Sequence, residues 1–242
     1  MSETTASRPA RRTQSYWRLV ARGFFNDFDA QNGHDTGPHE TIQFFVAANP
    51  RGLEGLAGAR YVIQISSKYR PRLADAEVEL RRRLGAHAQL VALDGATRVP
   101  HYTSAEMHAY AYKCAMVRTT GRLARNAIII PIRKTPEWWA MTPLERHTYF
   151  YPHTNPVTHQ PAKGHALAAE AGIQLVYRQI YYDPDGHSID GHYDFITYFE
   201  CADEHLSTFD HIRHNLRDER QNPEWRYVIE GPEWRGRRVL KW

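Results

Sequence analysis

The stretch "IIIPIRKTPEWWAMTPLERHTYFYPHT", residues 128–154, sets an apolar run, two adjacent tryptophans, a capped turn and histidines side by side. The isoleucines, with Ala127 before them and Arg133 and Lys134 after, read as a strand that is apolar until its basic end. Such an end either meets solvent or holds an anionic ligand group. Trp138 and Trp139 cannot share one face of a helix or strand, so at least one belongs at an edge, in a pocket or against a partner subunit. Thr142 as N-cap, Pro143 at the first helical position and Glu145 closing a capping box open a helix. Pro152 ends it near Tyr151.

Upstream, "YWRLVARGFFNDF", "GARYVIQISS" and "HAQLVALDG" read as strands. "RLADAEVELRRRL" reads as a helix with Leu73, Ala76, Leu80 and Leu84 on one stripe. Downstream come the strands "QLVYRQIYY" and "HYDFITYFE", then a helix from about Asp203 with Leu206, Phe209, Ile212 and Leu216 inward. Pro152 to Gly164 holds three prolines and a glycine, so it reads as a loop. Strands and helices mixed in this way twice, without regular βαβ spacing, imply an α+β fold of two halves with antiparallel sheets flanked by helices. The expected organisation is a disordered leader over 1–15, one half over 16–125 and a second over 126–242.

The chain has 242 residues, of which 42% are hydrophobic and 24% charged, as in an ordinary globular protein. No window approaches the roughly 18 apolar residues of a membrane span, and the first residues lack an apolar signal-peptide core, so a cytoplasmic protein is expected. The formal charge of +4 does not mark a nucleic-acid binder. Its one basic cluster, "ELRRRL", lies on a helix where Glu77 and Glu79 stand four residues before Arg81 and Arg83. Cys114 and Cys201 form no CxxC and read as buried thiols. No HExxH, GxGxxG, Walker A or GxSxG pattern occurs.

The unusual features are fourteen histidines and an arginine in an apolar strand. Alternation puts Arg178 on one face with Val176, Ile180 and Tyr182, and Tyr177, Gln179 and Tyr181 on the other. A buried guanidinium needs either a carboxylate partner or a cavity that receives an anion. His147, His153, His159 and His165 spread over the helix, the proline-rich loop and "HALAAEAG".

In order, "IPIRKTPEWW", "ER", a histidine, "YRQIYY", "YDFITYFE" and "PEWRYV" resemble the chlorite dismutase family over about residues 126–230. The resemblance implies paired ferredoxin-like halves forming an α+β barrel, haem b on one proximal histidine, and assembly as a dimer or pentamer. It implies an iron-dependent oxidoreductase that decomposes chlorite, a small anionic oxidant, to chloride and dioxygen. Arg178 falls on the distal arginine of family members that degrade chlorite. Trp138 and Trp139 fall on residues beside the haem, with Lys134 just before them. His165 lies 13 residues before Arg178, and His153 lies 14 after Trp139. Each spacing fits the family on one side of an insertion, and His165 is preferred because its helix runs straight into the arginine strand; His153 is the alternative, ahead of His147 or His159. Glu224, or Glu219, falls on a carboxylate that bonds the proximal imidazole. Tyr112, Tyr149 and Tyr151 are available should the protein instead be a decarboxylase of haem propionates. Peroxidase-like oxidation of a small molecule and non-catalytic haem binding are the further readings.

Overall fold

The computed structural model describes residues 13–19, 41–48, 59–67, 70–85, 90, 92–97, 105–110, 124–182 and 193–241. Tyr112 and Cys114 lie outside the described residues. In chain order the elements are β1 (Thr13–Leu19), β2 (Thr41–Ala47), β3 (Tyr61–Ser67), α1 (Arg70–Leu84), β4 (Ala92–Thr97) and α2 (Ala105–Tyr110). Then follow β5 (Asn126–Lys134), α3 (Pro136–Ala140), α4 (Pro143–Thr148), β6 (His153–Thr154), β7 (Pro161–Ala162) and α5 (Gly164–Ala168). The chain continues with β8 (Val176–Tyr182), β9 (Phe195–Cys201), α6 (Leu206–Arg217), β10 (Val228–Glu230) and β11 (Trp234–Lys241).

The strands pair antiparallel in the order β2-β3-β1-β4 and β8-β9-β5-β11. In each set the first strand lies between the third and fourth, and the second lies outside the third, which is the ferredoxin-like pattern. β11 pairs with β2, and β4 meets β8 at Ala96↔Tyr182, so the two sheets curl into one closed barrel. β10 extends the β5 edge through Val228↔Lys134 to Glu230↔Ile132.

Period-two alternation divides each strand between two cores. Ile129 of β5 points into the barrel with Phe45, Val62, Ile196, Tyr198 and Trp234. Ile128 and Ile130 point outward, beneath Phe209 and Ile212 of α6 and beside Val176 of β8. Over the first half, α1 buries Leu73, Leu80 and Leu84, while Glu77–Arg81 and Glu79–Arg83 pair on its outer surface.

Several boundaries depart from the sequence reading. β1 already begins at Thr13, inside the expected leader, because its backbone pairs with β3 on one side and β4 on the other, whatever its side chains. The proline-rich segment is a short hairpin, β6 against β7, in place of an irregular loop. Asn155 makes it so: its buried amide donates to the carbonyls of Glu219 and Arg220, and its Oδ1 accepts from the backbone of Val157 and Thr158. The helix after the tryptophans stops at Thr148, and "HALAAEAG" forms only the short α5 and a 3-10 turn over Glu170–Gly172.

The barrel interior holds a polar chain among its apolar side chains. Arg238 pairs with Glu200, whose carboxylate also accepts from Tyr198. Arg238 Nε donates to Gln43 at 2.9 Å, Gln43 to Gln64 at 2.8 Å, and Gln64 to the Tyr181 hydroxyl at 2.5 Å. Burial holds the Tyr198 phenol protonated well above its ordinary range. Replacing Glu200 by Gln removes the carboxylate from a buried guanidinium, which is expected to lower stability by about 3 kcal/mol. The corresponding fall in Tm is roughly 6–12 °C, measured by calorimetry.

Candidate functional site

The site begins where β5 ends. β5 delivers Lys134 to the rim of the barrel, and Thr135 then leads into α3, whose Pro136 presets the first helical turn. α3 carries Trp138 and Trp139 with their rings 4.8 Å apart and perpendicular. The indole of Trp138 donates to Glu224 at 3.0 Å, and that of Trp139 to Asp194 at 3.2 Å. Adjacent indoles thus face apart because each has its own buried carboxylate. Trp139 also stacks on Phe195.

α5 is placed by backbone contacts. The amides of His165 and Ala166 donate to the carbonyls of Tyr149 and Phe150, each at 3.0 Å, docking α5 on the end of α4. Gly164 has φ +74°, and a Cβ there would lie 2.4 Å from the Tyr151 carbonyl oxygen, so only glycine fits. His165 follows at once. Its Nδ1 lies 3.3 Å from Glu224 Oε2, and its Nε2 lies 3.5 Å from Arg178 Nη1.

Glu224 is the meeting point. It enters from a 3-10 turn over Pro223–Tyr227, is buried, and takes Lys134 Nζ at 2.7 Å on the oxygen that Trp138 also donates to. Burial alone would raise its pKa; the Lys134 ammonium and the His165 bond outweigh that and hold it well below the usual carboxylate range. Burial lowers the His165 pKa, with Glu224 opposing and the Arg178 and Lys134 cations adding to the shift. His165 is therefore neutral near pH 7. Its Nδ1–H faces the carboxylate, and the lone pair of Nε2 turns the other way.

That lone pair faces a cavity that opens to solvent. Its walls are mostly apolar: Ile130 and Ile132 of β5, Val176 of β8, Phe199 of β9, and Phe209 and Ile212 of α6. Arg178, Arg213, Glu230 and Thr197 add two guanidiniums, a carboxylate and a hydroxyl. Among the described residues no cluster of three or more His, Cys, Asp or Glu side chains could hold a metal ion. A metal at His165 must bring its remaining ligands with it, as the iron of a porphyrin does. An apolar slot, one neutral imidazole backed by a carboxylate and a cation on the wall fit a haem. Seating it at Nε2 requires the Arg178 side chain to move off that nitrogen, which its rotatable stem allows.

The residues expected from the sequence fall into two groups. His165, Glu224, Lys134, Trp138 and Arg178 come together, with Trp138 and Lys134 acting behind Glu224 instead of lining the cavity. His153 does not join them: its Nδ1 lies 2.8 Å from the Tyr151 carbonyl oxygen and its ring packs edge-on against Tyr149. His147 meets Glu106 at 3.4 Å, His159 is exposed on the hairpin, and Glu219 contributes a carbonyl to Asn155. Tyr149 bonds the Tyr227 hydroxyl, and burial with that bond pushes its pKa up to about 12. Tyr151 is exposed. Neither tyrosine lines the cavity. Two residues escaped the sequence reading: Asp194, which is fully buried and also caps the Lys134 amide at 2.5 Å, and Arg146, which grips the tryptophan turn. The dipeptide "ER" of the resemblance was Arg146's one signal, and it gave no role.

No protein-family model matches the sequence. Solved structures match it over nearly its whole length. A doubly substituted mutant of the chlorite dismutase from Candidatus Nitrospira defluvii has a TM-score of 0.67 at 19% identity, covering 94% of this chain and 92% of that one. The same enzyme in complex with imidazole gives 0.64 at 20% identity, with 96% and 93% covered. Its arginine-to-alanine mutant gives 0.65 at 20% identity, with 94% and 91% covered. The chain has the chlorite dismutase fold. Among its described residues no helix is long and apolar enough to cross a membrane.

Both pKa values at the centre are lowered in the folded state. The stability contributed by His165 is full above its ordinary pKa of 6.5 and falls as pH drops through the folded value. That from Glu224 is full above 4.5 and is lost at still lower pH. Urea unfolding from pH 7.5 to 4.5 is expected to show the wild type losing stability more steeply than His165→Gln, by up to about 1.4 kcal/mol per pH unit.

Proposed function

We propose that the protein is a haem b-dependent oxidoreductase of the chlorite dismutase family, decomposing chlorite to chloride and dioxygen. The observation that supports this best is the arrangement at His165: Nδ1 on the ionised Glu224, Nε2 bare of carboxylates and 3.5 Å from Arg178 Nη1, and a cavity that both side chains line. Haem, when bound, supplies the redox chemistry at iron. Glu224 accepts the Nδ1 proton bond, which fixes the tautomer and makes Nε2 a stronger ligand. Lys134 keeps that carboxylate ionised despite its burial.

Arg178 supplies the substrate contact. Its planar guanidinium offers several N–H donors to an oxyanion and stays charged at every working pH. Ile130, Ile132 and Phe199 line the cavity with it, and apolar walls of that kind strengthen charge-assisted bonds. Decarboxylation of haem propionates, the rival reading, calls for a reactive tyrosine at the cavity. Of the three tyrosines the sequence offers for it, Tyr149 bonds Tyr227 and Tyr151 is exposed, neither lining the cavity, and Tyr112 lies outside the described residues.

Adding haem b to the purified protein is expected to raise a Soret band, and chlorite is then expected to release dioxygen at an oxygen electrode. Arg178→Ala should keep the Soret band and lower turnover by about 10²-fold. His165→Ala should lose haem, while His153→Ala should keep it. A wild-type chain that develops no Soret band overturns the proposal.

A further inference from the structure

Arg146 is a buried arginine outside the cavity. It sits on α4, just after the capping box formed by Thr142 and Glu145. Helical side chains lean toward the N-terminus, and this one reaches back over α3. Its Nε donates to the Trp138 carbonyl at 3.0 Å and its Nη2 to the Trp139 carbonyl at 2.7 Å. These belong to the last residues of a five-residue helix, and the Trp138 carbonyl also accepts the amide of the C-cap residue Met141. The guanidinium carbon lies 4.4 Å from the centre of the Trp138 ring and 5.5 Å from that of Trp139. One side chain thereby fixes both the backbone and the ring of Trp138.

Trp138 has a defined task. Its indole N–H and the Lys134 ammonium share one oxygen of Glu224, which leaves the other oxygen turned to His165. Arg146 is not among the leading charges that set the Glu224 pKa; Lys134 and His165 are. Arg146 reaches Trp138 by its carbonyl and its ring, and the indole N–H of that ring reaches Glu224.

We infer that Arg146 is a positioning residue for the candidate haem site: it holds the Trp138 indole on Glu224 and so sets the carboxylate presented to His165. The haem part of this statement rests on the proposed function; the hold on Trp138 does not. Trp138→Phe removes the indole N–H while leaving Arg146 in place. Arg146→Gln keeps a donor for one carbonyl, and Arg146→Lys keeps the charge and the stem; neither can bridge both carbonyls and cover the ring.

The experiment uses the full chain and two readouts. In nitrogen-15 spectra without haem, the Trp138 indole resonance, one of six tryptophans and assigned by its loss in Trp138→Phe, is expected to exchange with solvent slowly. In Arg146→Gln and Arg146→Lys its exchange should quicken at least about tenfold. By Soret titration, Arg146→Gln and Trp138→Phe should each weaken haem binding by about tenfold. The double variant should be no worse than Trp138→Phe, because the two act in series.

Unchanged indole exchange in a folded Arg146 variant overturns the inference, as do losses of haem affinity that simply multiply in the double variant. Where Arg146→Gln does not fold, Arg146→Lys gives the same comparison. If the wild type takes up no haem, the proposed function fails and the exchange readout alone decides the role of Arg146.

Discussion

A buried carboxylate organises the second half of the molecule. Glu224 is ionised beneath the protein surface, a state that would be costly if any of its contacts were missing. Those contacts come from separate pieces of chain: Lys134 at the end of β5, Trp138 in α3 and His165 in α5. The need to compensate one charge thus fixes where a strand end, a tryptophan turn and a short helix stand relative to one another. None of these pieces is strong alone. α3 and α5 have five residues each, too short to hold as isolated helices.

The same logic recurs inside the barrel with a different outcome. Glu200 is buried more deeply still, yet its partners are Arg238 and Tyr198, and it does not line the cavity beside His165. Two buried carboxylates in one domain therefore differ in what they face. Glu200 closes a polar chain that ties β9 to β11 and β2, so its charge is used in register and packing. Glu224 is left with one oxygen directed at an imidazole whose other nitrogen opens on a cavity. Burial of a charge does not by itself single out a candidate site; here the direction of the last bond separates the two carboxylates.

The fold was largely legible because periodicity survives in single strands. The alternation in "VYRQIYY" placed Arg178 with Val176 and Tyr177 with Tyr181, and the two faces do diverge, one toward α6 and one into the barrel. The stripe on α6 was equally readable, since Phe209 and Ile212 are its buried residues. What periodicity could not give was long-range partnership. Glu224 meets Lys134 across ninety positions, and Asp194 meets Trp139 across fifty-five. The β6–β7 hairpin was hidden for a related reason: its stability comes from Asn155 bonding carbonyls more than sixty residues away.

His165 and His153 show where spacing stops being informative. Each stood at one edge of an insertion, and counting along the chain could favour either. In the structure the surroundings of the two differ, beginning with the residue before His165. Gly164 adopts a backbone conformation rare for other residues, and its missing Cβ lets the chain pass hard against Tyr151, just before the side chain that reaches Glu224. His153 enters the hairpin after Pro152 and spends its Nδ1 on the Tyr151 carbonyl, two residues back. A local bond of that kind fixes the ring to its own turn. His165, whose nearest partners lie 59 and 13 positions away, is instead held between distant elements, and a side chain so placed can present a nitrogen to a shared cavity.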